Sequence, residues 1–430
     1  MSSSFFKGFF NMRFNDMLYH TFIATIFRSF GAISGFLATL IIAKKLGAVE
    51  SGYYFLSYSI ITILATFCRF GLSNTIIRFV GSKIYNVNDI LWKSILFSAV
   101  LSISVSIIIF TNHFAIAAFF KKPEFANVLK IMSLALFGLV LGTLIANCLQ
   151  ALKKTKSSIF LLSICVNSLL GFFLLMGWVD NSVNLSGYFS FAIYANAFLA
   201  IIIYFYLTPK NSVDNYVKIK SLTSSCIPLW VTSIMTQLLM WSGQLIAGIY
   251  EASEVVAQLA VAQRTAALIS FVLVAINYVA APRFSEMYSN SKILELQNLA
   301  KWSVKLAALL AFPISIIMIF FPTLIMGLYG NDFESGAAFL VILSIGQLIN
   351  AVFGPLAFIL MMSGFENDMK KISLLTGVIA ISCIWLLTHC FGGIGNAIGT
   401  SLAVIIQNVL AFYFVSKRLN FNIFLPRKIN

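Results

Sequence analysis

Three arginines lie inside long apolar stretches of the sequence: Arg28, Arg69 and Arg264. A charged side chain at membrane depth is costly, so it usually faces a cavity, a ligand or a partner. Arg264 lies about nine residues inside its apolar run, a depth of roughly 13 Å in a helix. All 14 acidic residues fall in loops or at the ends of such runs. Because arginine binds phosphate oxygens in bidentate geometry, the pattern predicts a path for an anionic ligand.

Each arginine also has a structural interpretation. Arg28 and Arg69 could lie near the cytosolic ends of their spans and extend to the headgroups. Arg264 is too deep for that, but it could clamp two helices together through backbone carbonyls or polar side chains.

Polar and aromatic residues recur at helical spacing beside the arginines. Trp230, Gln237 and Gln244 are seven residues apart, and Trp241 is close to them. Residues at this spacing share one face of a helix, which favours a cavity for a hydroxyl-rich cargo. Ordinary hydrogen bonding between helices is the alternative interpretation. The predicted substrate-binding residues, for a diphosphate and a glycan, are Arg28, Arg69, Arg264, Tyr58, Trp230, Gln237, Trp241, Gln244, Gln263 and Asn277.

No enzyme site is visible in the sequence. The three histidines, His20, His113 and His389, lie far apart, and the six cysteines lack metal-ligand spacing. There is no Walker motif, G-x-S-x-G or HExxH. We therefore predict that the chain is not an enzyme and has no catalytic residue, no metal site and no cofactor.

Composition assigns the chain to the membrane proteins. Its 430 residues are 60% hydrophobic and only 10% charged, whereas soluble domains are nearer 25% charged. Short polar breaks separate long apolar runs, which favours helices over the alternating strands of a barrel. The net charge of +15 is better explained by cytosolic loops and anionic lipid headgroups than by nucleic acid. We expect an all-α polytopic membrane protein that does not bind nucleic acid.

Twelve spans can be traced, and the basic residues orient them. Of the 29 Lys and Arg, 21 fall on the side that would be cytosolic if the N-terminus is cytosolic, 5 on the other side and 3 within spans. The positive-inside rule then predicts that both termini are cytosolic. The spans are approximately 22–43, 53–80, 94–114, 131–151, 159–179, 187–207, 224–247, 255–281, 303–325, 337–362, 372–391 and 394–415.

An internal repeat relates the two halves. Ala48 and Glu50 match Ala252 and Glu254 at an offset of 204 residues. Six spans per half make the halves parallel, and parallel halves usually flank a central site. The sequence thus predicts two six-helix lobes around a central cavity. Their bounds are 1–208 for the N-terminal lobe, 209–223 for a cytosolic connector, and 224–430 for the C-terminal lobe with a cytosolic tail.

The segment LGAVESGYYFLSYSIITILATFCRFGLSNTIIRF resembles the N-terminal signature of polysaccharide-export flippases. The second-half run IYEASEVVAQLAVAQR resembles a degenerate copy, in which Val256 replaces the turn glycine. The chain therefore resembles the O-antigen (Wzx-type) flippase family. The superfamily of that family also holds lipid II flippases and multidrug/toxic-compound exporters.

This resemblance implies a function and its partners. The cargo would be an undecaprenyl-diphosphate-linked oligosaccharide of lipopolysaccharide biosynthesis, such as an O-antigen repeat unit. It would move from the inner to the outer leaflet of the bacterial inner membrane. Membrane lipids, proton or sodium coupling, and polysaccharide polymerase and glycosyltransferase partners are also implied.

Two other functions stay open at the level of sequence. An ion-coupled multidrug exporter of the same superfamily generally uses an intramembrane carboxylate, and the predicted spans contain none. A membrane-embedded glycan ligase or polymerase usually has a large extracytoplasmic loop, whereas the longest outer loop predicted here is the 115–130 region.

Overall fold

The computed structural model describes residues 12–81, 84–208, 215–217 and 219–419. The described residues fold into helices joined by short connections, with no strand among them. In chain order the helices are α1 Met12–Cys68, α2 Leu72–Gly81, α3 Val87–Phe119, α4 Phe125–Ser133, α5 Ala135–Ala151, α6 Thr155–Ile159, a π-helical turn Phe160–Ile164, α7 Cys165–Leu175, α8 Ser182–Leu207, α9 Ile219–Tyr250, α10 Ser253–Ser289, α11 Ile293–Phe320, α12 Pro322–Gly327, a 3₁₀ turn Asn331–Gly336, α13 Ala337–Phe353, α14 Leu356–Met362 and α15 Glu366–Leu419.

The chain is an all-α polytopic membrane protein, as its composition predicts. Within the described residues, eight helices are long and apolar enough to cross a membrane. The pair α4 and α5, bent by 43°, makes nine when it is counted as one span. The helices α1 and α15 have 57 and 54 residues and are interrupted at Gly47 and Gly392, whose positive φ suits glycine. The count of twelve crossings stays a prediction.

The predicted second span, 53–80, is not one continuous helix. Helix α1 ends at Cys68, and Phe70 and Gly71 have φ values of 47° and 75°. A Cβ atom on Gly71 would lie 2.4 Å from the carbonyl oxygen of Cys226 on α9, so only glycine permits this close approach. Arg69 therefore lies at a break between two helices.

The helices pack as two groups that meet along one interface. In the N-terminal lobe α5 packs on α8, and α3 packs on α4 and α5. In the C-terminal lobe α9 packs on α15, and α10 packs on α11 and α13. The lobes meet where α1 and α2 of the first contact α9 and α10 of the second. A cavity at this interface therefore has residues of both lobes in its wall.

The connector between the lobes is anchored to the N-terminal lobe. The backbone N–H of Val217 donates to Asp89 Oδ2 at 2.9 Å, and Lys93 Nζ donates to the Val217 carbonyl at 2.9 Å. Helix α9 begins at Ile219, inside the predicted connector 209–223. Residues 209–214 and 218 lie outside the described residues.

The helix bundle has two ends, named here the distal end and the proximal end. The distal end contains Gly47, Lys122, Glu251 and Gly392. A Cβ atom on Gly392 would lie 2.8 Å from Glu251 Oε1. The proximal end contains Gly71, which contacts α9 near its start. The orientation predicted from the basic residues assigns the proximal end to the cytosol.

Candidate functional site

A cavity of about 370 Å³ lies between the two lobes. One wall comes from α1, α5, the π-helical turn, α7 and α8, and the other from α9 and α10. We call it the central cavity. Most of its wall is apolar, and its polar and aromatic lining residues include Thr39, Tyr54, Tyr58, Thr143, Asn167, Asn196, Trp241 and Arg264.

Arg264 reaches from α10 of the C-terminal lobe to side chains of the N-terminal lobe. Its Nη1 donates a 3.0 Å hydrogen bond to Thr39 Oγ1, and its Cζ lies 4.2 Å from the ring centroid of Phe55 and 5.5 Å from that of Tyr58. These distances allow cation–π attraction. Among the described residues the ion pairs join other side chains, namely Lys93–Asp89, Lys292–Glu295 and Arg418–Asp368. Arg264 therefore both lines the cavity and bridges the lobes, so the two sequence-based interpretations of this residue are compatible.

A second cavity, of about 490 Å³, lies on the proximal side of the central cavity. Thr143 and Leu162 line both cavities, so the two adjoin. We call the second one the proximal cavity. Its lining residues are largely hydroxyl and amide side chains: Thr66, Ser73, Asn74, Thr143, Asn147, Thr232, Ser233, Thr236 and Gln237, together with Arg69, Gly71 and Leu162.

Arg69 is the charged residue of the proximal cavity. Its Nη2 donates to Thr66 Oγ1 at 2.6 Å, on the last turn of α1. Arg69 directly follows the last residue of α1, Cys68, and lies in the lining of the proximal cavity. Among the residues that the structure describes, one arginine and no acidic residue line each of the two adjoining cavities.

Aromatic rings form part of the central cavity wall. The Tyr58 ring lies 5.5 Å from Trp241, 5.7 Å from Phe189 and 6.4 Å from Tyr54, measured between centroids. Trp241 Nε1 and Asn196 Oδ1 are shielded from solvent and have no hydrogen-bond partner among the described residues. Buried polar atoms are normally paired, so these two groups are candidates for a partner that arrives with a ligand or a lobe movement.

Five of the ten predicted site residues line these cavities, and three of the others make helix contacts. Trp230 Nε1 donates to the Phe67 carbonyl at 3.1 Å. Gln244 is buried and donates to the Val256 carbonyl at 3.2 Å, while Gln263 donates to the Met240 carbonyl at 3.1 Å. For these three residues the structure supports the interhelical interpretation. Arg264, Tyr58 and Trp241 line the central cavity, and Arg69 and Gln237 line the proximal cavity.

The remaining two predicted residues also lie outside both linings. Arg28 is exposed on α1, and Asn277 is buried within α10 with no partner for its Oδ1 among the described residues. Near Arg28, Gly31 permits close helix packing, since a Cβ atom on it would lie 2.6 Å from Ser163 Cβ.

Sequence reasoning missed several cavity residues: Tyr54, Thr143, Asn167 and Asn196. The sequence-based selection of site residues relied on charged residues within apolar runs and on polar residues repeated every seven positions. The four residues that it missed belong to neither group. An asparagine inside an apolar run is itself a signal, because its amide needs partners that lipid cannot supply. Asn167 on α7 and Asn196 on α8 fit that description.

Residues 17–288 match the model of the family described as polysaccharide biosynthesis protein. The chain belongs to this family. It is also similar to an uncharacterized membrane protein of Methanocaldococcus jannaschii, with 24% identity over 417 residues. That match covers 89% of this chain and 81% of the archaeal protein.

Solved structures of two transporters share the fold. The lipid II flippase MurJ, in an inward closed conformation, has a TM-score of 0.77 at 16% identity, covering 92% of this chain and 87% of MurJ. An inward-facing multidrug resistance MATE family transporter of the MOP superfamily has a TM-score of 0.75 at 15% identity. The match covers 92% of this chain and 98% of that transporter. The family member described here therefore has the fold of a MOP-superfamily transporter.

Proposed function

We propose that this protein is a flippase that moves an undecaprenyl-diphosphate-linked oligosaccharide, an O-antigen or similar repeat unit, across the bacterial inner membrane. Family membership and the transporter fold support membrane transport in polysaccharide biosynthesis. The observation that carries the choice of cargo is Arg264. Its guanidinium lies in a cavity between the lobes and makes hydrogen-bond and ring contacts but no ion pair in the described structure.

Electrostatics in the central cavity favours an anion over a cation. Two unit charges 4 Å apart interact by about 4 kcal/mol at an effective dielectric constant of about 20. An organic cation beside Arg264 would be repelled by an energy of this order, and a diphosphate would be attracted. A diphosphate also offers the paired oxygens that a guanidinium binds in bidentate geometry. The preference for an anion supports the flippase over the multidrug exporter of the same superfamily.

The two cavities suggest a division of roles along the path. The hydroxyl and amide lining of the proximal cavity suits the sugars, while Arg69 at its edge meets the diphosphate as it enters. Arg264 then holds the diphosphate in the central cavity, beside the flat faces of Tyr58 and Trp241. The polyprenyl tail stays in the bilayer while the lobes open the path to each side in turn.

The orientation and partners belong to the same proposal. The bias of basic residues assigns the proximal end and both termini to the cytosol. Glycosyltransferases would supply the lipid-linked glycan there, and a polymerase would use it on the opposite side. A proton or sodium gradient would provide the driving force.

The test is a transport assay in proteoliposomes with two defined cargoes. We expect undecaprenyl-diphosphate-linked oligosaccharide to reach the opposite leaflet with its mass unchanged, faster when a proton or sodium gradient is imposed. A permeant organic cation should not be exported. Export of the cation alone would support the multidrug exporter, and a cargo recovered with an altered glycan would support the ligase or polymerase.

A further inference from the structure

Lys122 lies in the short connection between α3 and α4, at the distal end of the N-terminal lobe. Only 8% of the residue is exposed. Its Nζ lies 2.6 Å from the Gly248 carbonyl oxygen and 2.7 Å from that of Glu251. Gly248 lies in the last turn of α9 in the other lobe, and Glu251 directly follows that helix. A lysine of one lobe is therefore held by the backbone of the other.

The acceptors explain why this contact is strong. The last carbonyls of a helix have no partner within the helix, and the helix dipole leaves this end negative. The ammonium satisfies the Gly248 carbonyl, which lies in the last turn of α9, and the Glu251 carbonyl just beyond it. A third, longer contact of 3.4 Å reaches the Phe120 carbonyl of its own loop. The charge thus has backbone partners in the distally closed arrangement of the lobes.

The surrounding contacts show that the lobes are closed at this end. A Cβ atom on Gly52 would lie 2.0 Å from the Ser253 carbonyl oxygen, and one on Gly248 would lie 2.5 Å from Leu56 Cδ1. Both are contacts between the lobes. Separation at the distal end would therefore break the lysine contacts together with this close backbone packing.

The charged groups around Lys122 belong to a small distal cavity of about 310 Å³. Glu124, Glu251, Glu254 and Lys121 line it, and the Glu124 carboxylate accepts a 3.0 Å hydrogen bond from the Tyr53 hydroxyl. Burial lowers the pKa of Lys122, while the Glu251 and Glu254 carboxylates act in the opposite direction. Separation of the lobes would allow water to hydrate the charged ammonium. While the lobes are closed, hydrogen bonds to the backbone carbonyls must compensate for this lost hydration.

We propose that Lys122 is the latch of the distal gate. Its ammonium binds the end of α9 when the lobes are closed distally, and it must leave these carbonyls before the path can open on that side. The inference depends on lobe geometry and not on the nature of the cargo. It would hold equally for a lipid-linked glycan or for an organic cation.

The neighbouring lysine provides a matched control. Lys121 is exposed, lies in the same connection and carries the same charge. The test would compare Lys122→Met with Lys121→Met by hydrogen–deuterium exchange of the full-length protein in detergent. The backbone amides of residues 249–257 report the distal contact, and those of residues 226–233 report the proximal contact.

Loss of the latch should accelerate distal exchange selectively. We expect about tenfold faster exchange over 249–257 in Lys122→Met, since several charged hydrogen bonds are lost, and no change in Lys121→Met. Exchange over 226–233 should stay the same or become slower. Unchanged distal exchange would overturn the proposal, and so would uniform acceleration at both ends, which indicates general destabilisation.

A second measurement leaves Lys122 in place and does not depend on whether Lys122→Met folds. Amine-reactive labelling of the wild-type protein should modify Lys121 at least tenfold faster than Lys122. The Gly52→Ala variant, which places a methyl group against Ser253, should raise the labelling of Lys122 about tenfold. Equal reactivity of the two lysines in the wild type, or continued protection of Lys122 in folded Gly52→Ala, would refute the latch.

Discussion

The contact between Gly52 and α10 leaves no room for a side chain. A Cβ atom on Gly52 would lie 2.0 Å from the Ser253 carbonyl oxygen, 2.7 Å from its carbonyl carbon and 3.2 Å from its Cα. Carbon–oxygen contacts are ordinarily about 3.3 Å or longer, so Gly52→Ala requires a local separation of roughly 1.3 Å. All three atoms are backbone, and no rotamer change can relieve the clash.

The expected size of the effect follows from this geometry. Overpacking a tight contact costs about 1–3 kcal/mol, and the cost disappears when the lobes separate distally. The distally closed arrangement should therefore lose a factor of about 5 to 150 relative to the open one. Gly171→Ala is the matched control, because a Cβ atom there meets nothing within 4 Å. Both substitutions gain up to about 1 kcal/mol of helix propensity, so their difference isolates the clash.

Hydrogen–deuterium exchange over residues 249–257 and thermal unfolding together measure the outcome. Gly52→Ala should exchange faster at the distal end than Gly171→Ala, with a smaller change elsewhere in the chain. If both variants show the same distal exchange and the same melting temperature, the close approach of the lobes at Gly52 is not a feature of the protein in solution.

Two further predictions concern carboxylates outside the central and proximal cavities. Glu50 accepts a 2.8 Å hydrogen bond from the Ser182 N–H, and Glu254 is exposed on the first turn of α10. The transport rates of Glu50→Gln and Glu254→Gln should therefore each stay within a few-fold of the wild-type rate. Abolished transport in either variant would identify a coupling carboxylate and favour the exporter. Arg418 donates hydrogen bonds to both carboxylate oxygens of Asp368, at 2.6 and 3.2 Å. These bonds lower the pKa of Asp368. The ion pair therefore stabilises the fold at pH values above the ordinary carboxylate pKa of about 3.9. Asp368→Asn should lower the melting temperature at pH 7, and its difference from the wild type should shrink as the pH falls below about 3.9; a pH-independent difference would argue against the ion pair.

Much of the fold follows from hydrophobic patterning. Long apolar runs with short polar breaks predict membrane helices, and the structure confirms this fold class. Positions where helices must approach closely are harder to predict. At the break at Arg69–Gly71, the Gly71 backbone lies so close to Cys226, more than 150 residues later, that a side chain on Gly71 would clash with the Cys226 carbonyl oxygen. Local sequence contains no information about that neighbour, so the span appeared continuous.

The site residues show the same limit of sequence patterns. Depth within a span and the lack of an acidic partner predicted a special role for Arg264, and the structure places it at the cavity between the lobes. A seven-residue spacing identifies one helix face but not what that face contacts. On α9, for example, Trp241 lines the central cavity. Trp230 and Gln244, which belong to the seven-residue repeat beside it, instead donate to backbone carbonyls of neighbouring helices.

The role of Arg264 in binding a diphosphate is the central claim, and flipping per folded molecule tests it most directly. Proteoliposomes with undecaprenyl-diphosphate-linked oligosaccharide would compare the wild type with Arg264→Ala, Arg264→Lys and, as a control outside both cavities, Arg28→Ala. We predict that Arg264→Ala is folded and inserted but does not flip the cargo. Arg264→Lys should retain part of the activity, because it keeps the charge and loses the bidentate geometry, and Arg28→Ala should stay within a few-fold of the wild type. Near-normal flipping by well-folded Arg264→Ala would contradict the account.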